Sequence, residues 1–439
     1  MKTGFGKIDI TPPIGVNLNG YYRERIADHI IDKLYVSAVA YSDDKNMALT
    51  ISLDISEILQ RDTDDIRMKV SKYTGVPFEA VFVACIHTHT APVISEIPGF
   101  FKRDEAYYNE FCDKICRCAK EAIDDLKESV ISTARGQVEG ITFIRRFRMK
   151  DGSVVTNPQL HVLDQVEGQI GEADKTLQLI KIQREDAPDI AIVHYANHPD
   201  VVGVKGIGPD WPGFMRDTIE DALVKEANGK GVRVIYFNGA QGDINHWNSI
   251  KGEYPRGVEH ARHMGRVLAA TVLSIYTYTK PVASELIRFK QNISKVAVAK
   301  GTEEDVEKAK ILNEKFVARE EKSIPGYTFN DIVMARKYIR LADVDPVIDL
   351  NVVCISLGDI AFVGLPGEPF TEIGRTIKEK SPFPMTLVCC NANGSEGYFP
   401  TDDALKVIGY ESASALFLPG VATEVINTSL MTLNEIYNK

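Results

Sequence analysis

The sequence predicts an α/β fold, with layered mixed β-sheets flanked by helices and a helical insertion near 301–345. Two observations carry the fold class. Short β-like runs alternate with helical stretches, and several runs are apolar at every position, as strands buried on both faces are. A third marks the insertion, where charge is dense and β-branched residues are sparse.

Taken in order, LYVSAVAYSD (34–43) and MALTISLDI (47–55) read as paired strands around a polar DDKN turn. DTDDIRMKVSKYTG (62–75) is an amphipathic helix with an acidic first turn and a glycine stop. AVFVACI (80–86) is a continuous apolar strand, and DEAYYNEFCDKICRCAKEAIDDL (104–126) a long helix. TLQLIKIQ (176–183) and DIAIVHYANH (189–198) follow as strands, PGFMRDTIEDALVKEA (212–227) as a helix and RVIYFNGA (233–240) as a buried strand. The segment 301–344 is helical, either a lid or an oligomer contact. Beyond Pro346 strands resume in VIDLNVVCISLGDIAFVGLP (347–366) and MTLVCCNANG (385–394). Without an internal repeat or a Pro/Ser-rich linker, residues 1–439 read as one domain.

The 439 residues, 44% apolar, are ample for a large core. A net charge of −10 with no basic stripe excludes a nucleic-acid-binding surface. The opening MKTGFGKIDITPPIG has no apolar leader, and no run approaches the roughly 18 apolar residues of a membrane span. Of seven cysteines, Cys389 and Cys390 are adjacent, while Cys112, Cys116 and Cys118 crowd one helix, where buried thiols are expected. A reducing, cytoplasmic location is the expectation.

Five segments could carry chemistry, each placed where an apolar strand ends. His87 and His89 leave AVFVACI two residues apart, so both rings would emerge on one face, as metal ligands or as a hydrogen-bonded pair. His194 and His198 end the next strand but one. Asn238 to His246 form a Gly-rich turn with Asp243 and Asn245, a close backbone approach to a ligand or a capped turn. Glu368 follows IAFVG and opens a helix, where a carboxylate complements the dipole as readily as it binds a metal. Tyr398 and Tyr410 lie in and beyond a Gly-rich loop.

Read together and in order, these segments resemble the neutral, non-lysosomal ceramidase family. That family carries T-H-T-H-S, a later aromatic-x-x-H, N-x-G-D-V-S-P, P-G-E and G-Y…Y-E-G-A-S-T. The counterparts are IHTHT (86–90), YANH (195–198), NGAQGDINH (238–246), LPGEPFTEIG (365–374), and GYFP (397–400) with YESAS (410–414). The start, GFGKIDITPPIG (4–15) with NGYY (19–22), is also similar. The resemblance implies one Zn2+ held by His87, His198, Glu368 and Tyr398, with His89 and Tyr410 beside it. A substrate-contacting arginine falls at Arg146, with Arg145 the alternative. Asp243, His194 and Asp210 are candidates to orient the ligands.

The implied activity is hydrolysis of an amide (N-acyl) bond by metal-activated water, on a small-molecule N-acyl or O-acyl substrate. Two departures bear on the substrate. Asn245 stands where the family has a serine, and a carboxamide is no nucleophile. The chain also ends soon after YESAS, which leaves the family's immunoglobulin-like C-terminal domain unexpected here. With the missing leader, these favour a deacylase, deacetylase or esterase acting on a soluble polar substrate over a true ceramidase. A non-catalytic metal- or ligand-binding relative is the alternative from another class. A homo-oligomer is left open.

Overall fold

The computed structural model describes residues 1–283 and 286–438. The apolar runs build two main sheets. In the larger, the strand order is Val232–Asn238, Asp189–Tyr195, Thr176–Arg184, Lys127–Gln137, Lys2–Asp9, Tyr35–Ser42, Met47–Leu53, Val81–Cys85, with Lys280–Pro281 as a side branch. The predicted hairpin forms in register from Ser42 opposite Met47 to Val36 opposite Leu53. Every residue of Val81–Cys85 and Asp189–Tyr195 is buried, as a continuous apolar run demands. The smaller sheet orders Ile287–Ala297, Val347–Leu357, Ile360–Gly364 and Met385–Cys389.

Most neighbouring strands are antiparallel, and the exceptions position the site. Val81–Cys85 runs parallel to Met47–Leu53, Asp189–Tyr195 to Val232–Asn238, and Ile360–Gly364 to Met385–Cys389. The five segments singled out above leave the carboxyl ends of strands in these parallel pairs, where the sites of α/β sheets gather.

The two ends of the larger sheet come together. Ser52 Oγ donates to the Tyr236 carbonyl at 2.6 Å, and Asn238 Nδ2 to the Ile86 carbonyl at 3.0 Å. The loop after Met385–Cys389 then stitches the smaller sheet to this seam. Cys85 N donates to Asn391 O at 3.1 Å, and Asn393 N to Val83 O at 2.7 Å. Strand ends from both sheets therefore open into one space.

Helices Gln60–Thr74 and Glu105–Asp124 pack together, the second lying over Lys2–Asp9 and Tyr35–Ser42. The first ends at Gly75 in the left-handed region (φ 79°), whose N–H caps Ser71 O, as the glycine stop predicts. Asp104 caps the second by accepting from Tyr107 N at 3.0 Å. Cys112, Cys116 and Cys118 lie on its buried face, and all seven cysteines are free thiols. Trp211–Ala222 and Val258–Ile275 form a second helix pair, and Val421–Tyr437 lies over the smaller sheet. The insertion is helical as expected, with Glu303–Val317 packed on Phe329–Leu341. Among the described residues no helix is long and apolar enough to cross a membrane.

Candidate active site

His87 and His89 do not sit on the strand from which they were predicted to project. The strand stops at Cys85, and His87 takes φ 72°, a left-handed turn uncommon for a non-glycine residue. Hydrogen bonds hold the turn: Thr88 and Thr90 Oγ1 donate to the Gly208 carbonyl at 2.9 and 2.7 Å, and His89 N donates to Pro199 O at 3.0 Å. The rings still converge, with their Nε2 atoms 3.2 Å apart, through this turn rather than through strand alternation. Gly20 lies against His89 so closely that a Cβ there would stand 2.5 Å from the ring.

His198 enters from the far side of the larger sheet, after strand Asp189–Tyr195, which runs parallel to Val232–Asn238. Its Nδ1 lies 3.2 Å from both the Gln241 and Ile244 carbonyls, and His87 Nδ1 lies 2.9 Å from the Ser56 carbonyl. Carbonyls only accept, so His198 Nδ1 carries the proton and its Nε2 keeps a bare lone pair, whereas His87 Nδ1 lies between the Ser56 carbonyl and the Asn391 amide nitrogen, 3.0 Å away. Glu368 Oε2 lies 3.3 Å from both His87 Nε2 and His198 Nε2. The His198 and Glu368 atoms have no hydrogen-bond partner. Ligand atoms of His87, His89 and His198 all lie within 4.8 Å of one another, and all three residues are buried. Three imidazoles and a carboxylate that aim lone pairs at one point are repulsive unless a cation or protons occupy it. Their N and O chemistry and lack of protein donors fit a zinc-type ion.

The electrostatics follow the same geometry. Burial opposes charge on His87, but Glu368 beside it raises the imidazole above its ordinary value. Burial, with His87 as neighbour, holds His89 well below. Burial works against the Glu368 carboxylate, yet His87 and His198 hold its pKa far below the usual range.

Tyr398 is placed by backbone pairing: Glu368–Pro369 and Tyr398–Phe399 form a two-residue parallel ladder with Glu368 opposite Tyr398. The Tyr398 ring meets Tyr410 edge-on at 6.0 Å. Arg145 lies against both rings, donates from Nε to Glu411 Oε1 and from Nη2 to the Gly242 carbonyl, each at 2.8 Å. Two cavities meet at these tyrosines and His89. One of about 120 Å³ reaches His87 and Glu368, and one of about 720 Å³ reaches His198 and Arg145.

No family model and no curated protein matches the sequence. Solved structures do match. The neutral ceramidase from Pseudomonas aeruginosa superposes with a TM-score of 0.75 over 98% of this chain and 74% of its own, at 17% identity. A ceramidase complexed with C2 gives the same TM-score over 100% of this chain and 75% of its own, at 15% identity. The fold is that of the neutral ceramidases.

On this ceramidase fold the predicted residues fall into two groups. His87, His89, His198, Glu368, Tyr398 and Tyr410 all border the cavities. Arg146 does not: its guanidinium lies 5.1 Å over the Phe370 ring and lines a separate cavity. Arg145 faces the site in its place, because neighbours on an extended segment point to opposite sides. His194 is also turned away, its Nε2 meeting the Val388 carbonyl at 2.9 Å, and burial pushes it down to about 3. Asn245 is occupied within its loop, donating to Asn157 Oδ1 at 2.9 Å and accepting from Trp247 N at 3.0 Å.

Asp210 and Asp243 support the site from behind. Asp210 accepts from Val202 N and Trp211 N, and burial raises it to about 6; Trp211 Nε1 donates to the His198 carbonyl. Asp243 accepts from Thr371 N and Oγ1 at 2.8 Å, fixing the turn just after Glu368, and burial raises its pKa. Two further contributors were not expected from the sequence, and the helical insertion, expected as a lid or an oligomer contact, joins them. Glu411 holds Arg145. Glu57, which accepts from Asn19 Nδ2 at 3.0 Å and Ser395 Oγ at 3.3 Å, lines the smaller cavity. The insertion supplies that cavity's outer wall through Val333, Arg336, Lys337 and Arg340. Of the first two, only Glu411 sat in a segment whose pattern could have drawn attention to it.

Proposed function

We propose that this chain is a zinc-dependent hydrolase of the ceramidase family that cleaves an N-acyl amide bond. One observation carries the reading: the Nε2 atoms of His87 and His198 converge on Glu368 Oε2 at 3.3 Å, on the wall of an open cavity. His87, His198, Glu368 and Tyr398 would hold the ion. Zinc supplies Lewis acidity, lowering the pKa of water towards ~7 and polarising the scissile carbonyl.

The chain's own groups do the rest. Carbonyls at Gln241 and Ile244 fix the tautomer of His198, and the Ser56 carbonyl and the Asn391 amide hold the His87 ring in place. His89 Nδ1 has no hydrogen-bond partner and its ring borders both cavities, which suits it to pass a proton to the leaving amine. Tyr410 borders both cavities and offers a hydroxyl to the substrate carbonyl. Arg145 steadies both tyrosines. The ion-binding set has a second reading, His87, His89 and His198, which the mutual 4.8 Å approach of their ligand atoms favours. An O-acyl ester would meet the same groups, and Asn245, tied to Asn157, offers no nucleophile in either case.

The test is metal content by mass spectrometry together with hydrolysis of a panel of N-acyl and O-acyl compounds. Wild type should carry about one zinc per chain, and His87→Ala and Glu368→Ala should lose both metal and turnover. A variant that lost its zinc yet kept full activity would overturn the reading. Wild-type hydrolysis confined to O-acyl compounds would replace the amidase by an esterase.

A further inference from the structure

The insertion brings positive charge to the site without bringing a partner for it. Val333, Arg336, Lys337 and Arg340 share one face of helix Phe329–Leu341 and line the cavity that reaches His87 and Glu368. Arg340 is neutralised by Glu396 at 2.6 Å, and Arg23 nearby by Glu321. Arg336 and Lys337 are different. Among the described residues neither forms an ion pair with a carboxylate, although the protein as a whole is acidic.

Arg336 is only 2% exposed. Its Nε donates to Asn313 Oδ1 at 3.0 Å, while its Nη1 is buried with no hydrogen-bond partner. The rings of Phe100, Tyr22 and Phe316 surround it at 4.5, 5.3 and 5.4 Å. Ring faces soften the charge but give Nη1 no acceptor. Burial lowers its pKa to about 10, with Tyr22 and Arg23 as the further influences and no acid among them. Lys337 is half-buried, and burial alone lowers its pKa.

The field extends beyond these two. Arg336 also borders a neighbouring cavity of about 460 Å³ that carries Lys102 and Arg319 against one acid, Glu24. Of the charged residues lining the 720 Å³ cavity, Arg23 and Arg145 are paired with Glu321 and Glu411, which leaves Arg25 and Arg256 against one acid, Asp200. Among the described residues Arg25 pairs with no carboxylate, and it hydrogen-bonds the carbonyls of Asn19, His89 and Val204. Around a cleft, an excess of one sign raises the local concentration of ligands of the other. Glu57 and Glu368 line the 120 Å³ cavity as well, but among the described residues neither pairs with Arg336 or Lys337, and a neutral amide alcohol would leave those two cations unanswered.

We propose that the amide cleaved here bears a carboxylate, an N-acyl amino acid in chemical class, which docks on Arg336 and Lys337 of the insertion. The proposal rests on the hydrolase reading above and names its substrate. A guanidinium fork pairs with a carboxylate through two parallel N–H···O bonds, and an ammonium alongside adds a point charge. The cavity between them and the histidines, about 120 Å³, suits a short head group, and the larger cavity is left for the acyl chain.

The experiment compares an N-acylglycine with the N-acylethanolamine of the same acyl chain, which is neutral and of similar length. Zinc-loaded wild type should favour the N-acylglycine at least tenfold in kcat/KM, mainly through KM. Lys337→Met should shrink that ratio severalfold, and Arg336→Met should nearly abolish it. Because Arg336→Met removes a buried group and can fail to fold, Lys337→Met and the charge-conserving Arg336→Lys accompany it. Equal or faster turnover of the ethanolamide by wild type overturns the proposal while the hydrolase reading stands. If neither amide is cleaved, the amidase reading falls and calorimetry decides the proposal. Tighter binding of N-acylglycine that Lys337→Met weakens supports an anion site; equal or absent binding overturns it.

Discussion

Glu368 and Tyr398 sit opposite each other in register, the first pair of a parallel ladder only two residues long. The ladder joins the loops that follow two parallel strands of the smaller sheet, so a carboxylate and a phenol thirty residues apart in sequence reach the histidines together. Backbone bonds support it: Glu368 N donates to Gly397 O at 2.9 Å and Phe370 N to Phe399 O at 3.1 Å. Side-chain changes at either position should therefore leave the ladder in place. Tyr398→Phe is expected to fold with wild-type circular dichroism and to lose zinc affinity by about 10–100-fold, a range typical of weakened metal sites. Competition with a chromogenic chelator measures it, and unchanged affinity would remove Tyr398 from the ligand set.

Gly20 gives a second test, because it reaches His89 and nothing else at such close range. At φ 100° the backbone already disfavours a side chain, and the added carbon would stand 2.5 Å from Cγ of the ring. Gly20→Ala should cost roughly 1–3 kcal/mol of stability from strain and displace His89. Activity should fall by at least tenfold while zinc content holds, if His89 moves protons and does not bind the ion. Loss of zinc in step with activity would favour the three-histidine set.

How much of this site was readable from residue order depends on what each residue's position is made of. The ends of AVFVACI, DIAIVHY, RVIYF and IAFVG are legible because apolar periodicity stops there, and those strand ends do form the site. The convergence of His87 with His89 was expected from strand alternation, whereas a left-handed turn at His87 produces it; a single φ leaves no mark in the residue pattern. Choosing between Arg145 and Arg146 was equally out of reach, since adjacent residues on an extended segment differ only in which side faces the core. Arg145 finds Glu411 across 266 residues of sequence. The charged, helical character of 301–344 was plain. That Arg336 lacks an acid partner depends on which elements meet it, and only the assembled fold shows that.

A buried ion pair ties the two halves of the larger sheet behind the site. Arg216 Nη1 and Nη2 donate to Asp54 Oδ1 and Oδ2 at 2.6 and 2.7 Å, and Asp54 Oδ2 also accepts from Tyr35 N at 2.8 Å. Neither side chain is more than 4% exposed. Removing one partner strands the other charge in the interior, at a cost of about 3–5 kcal/mol. Arg216→Met should therefore lower the urea midpoint sharply, whereas Lys230→Met, at an exposed pair with Asp186, should leave it almost unchanged. Similar midpoints for the two variants would show that the buried pair contributes no more than an exposed one.

The acid limb of the stability curve should report on Asp174. Burial raises its carboxyl, but the charge and hydrogen bond of Lys378 and the Thr176 N–H outweigh it and hold the group at about 2, against an ordinary 3.8. Lys378 Nζ donates to Oδ2 at 2.9 Å, joining the start of strand Thr176–Arg184 to helix Thr371–Lys380, and both side chains are under 20% exposed. A carboxylate depressed in the folded state adds stability above its unfolded pKa and loses it as pH falls through the folded value. The contribution, of the order of 2 kcal/mol, is thus complete above about pH 4 and is shed between about pH 4 and 2. Lys378→Met should lower stability at neutral pH by up to about that amount, less whatever the Thr176 N–H retains. It should also flatten the fall between pH 4 and 2. Urea titrations at pH 6, 4, 3 and 2 on both proteins separate these effects. Parallel curves at every pH would mean that Lys378 does not set the Asp174 titration.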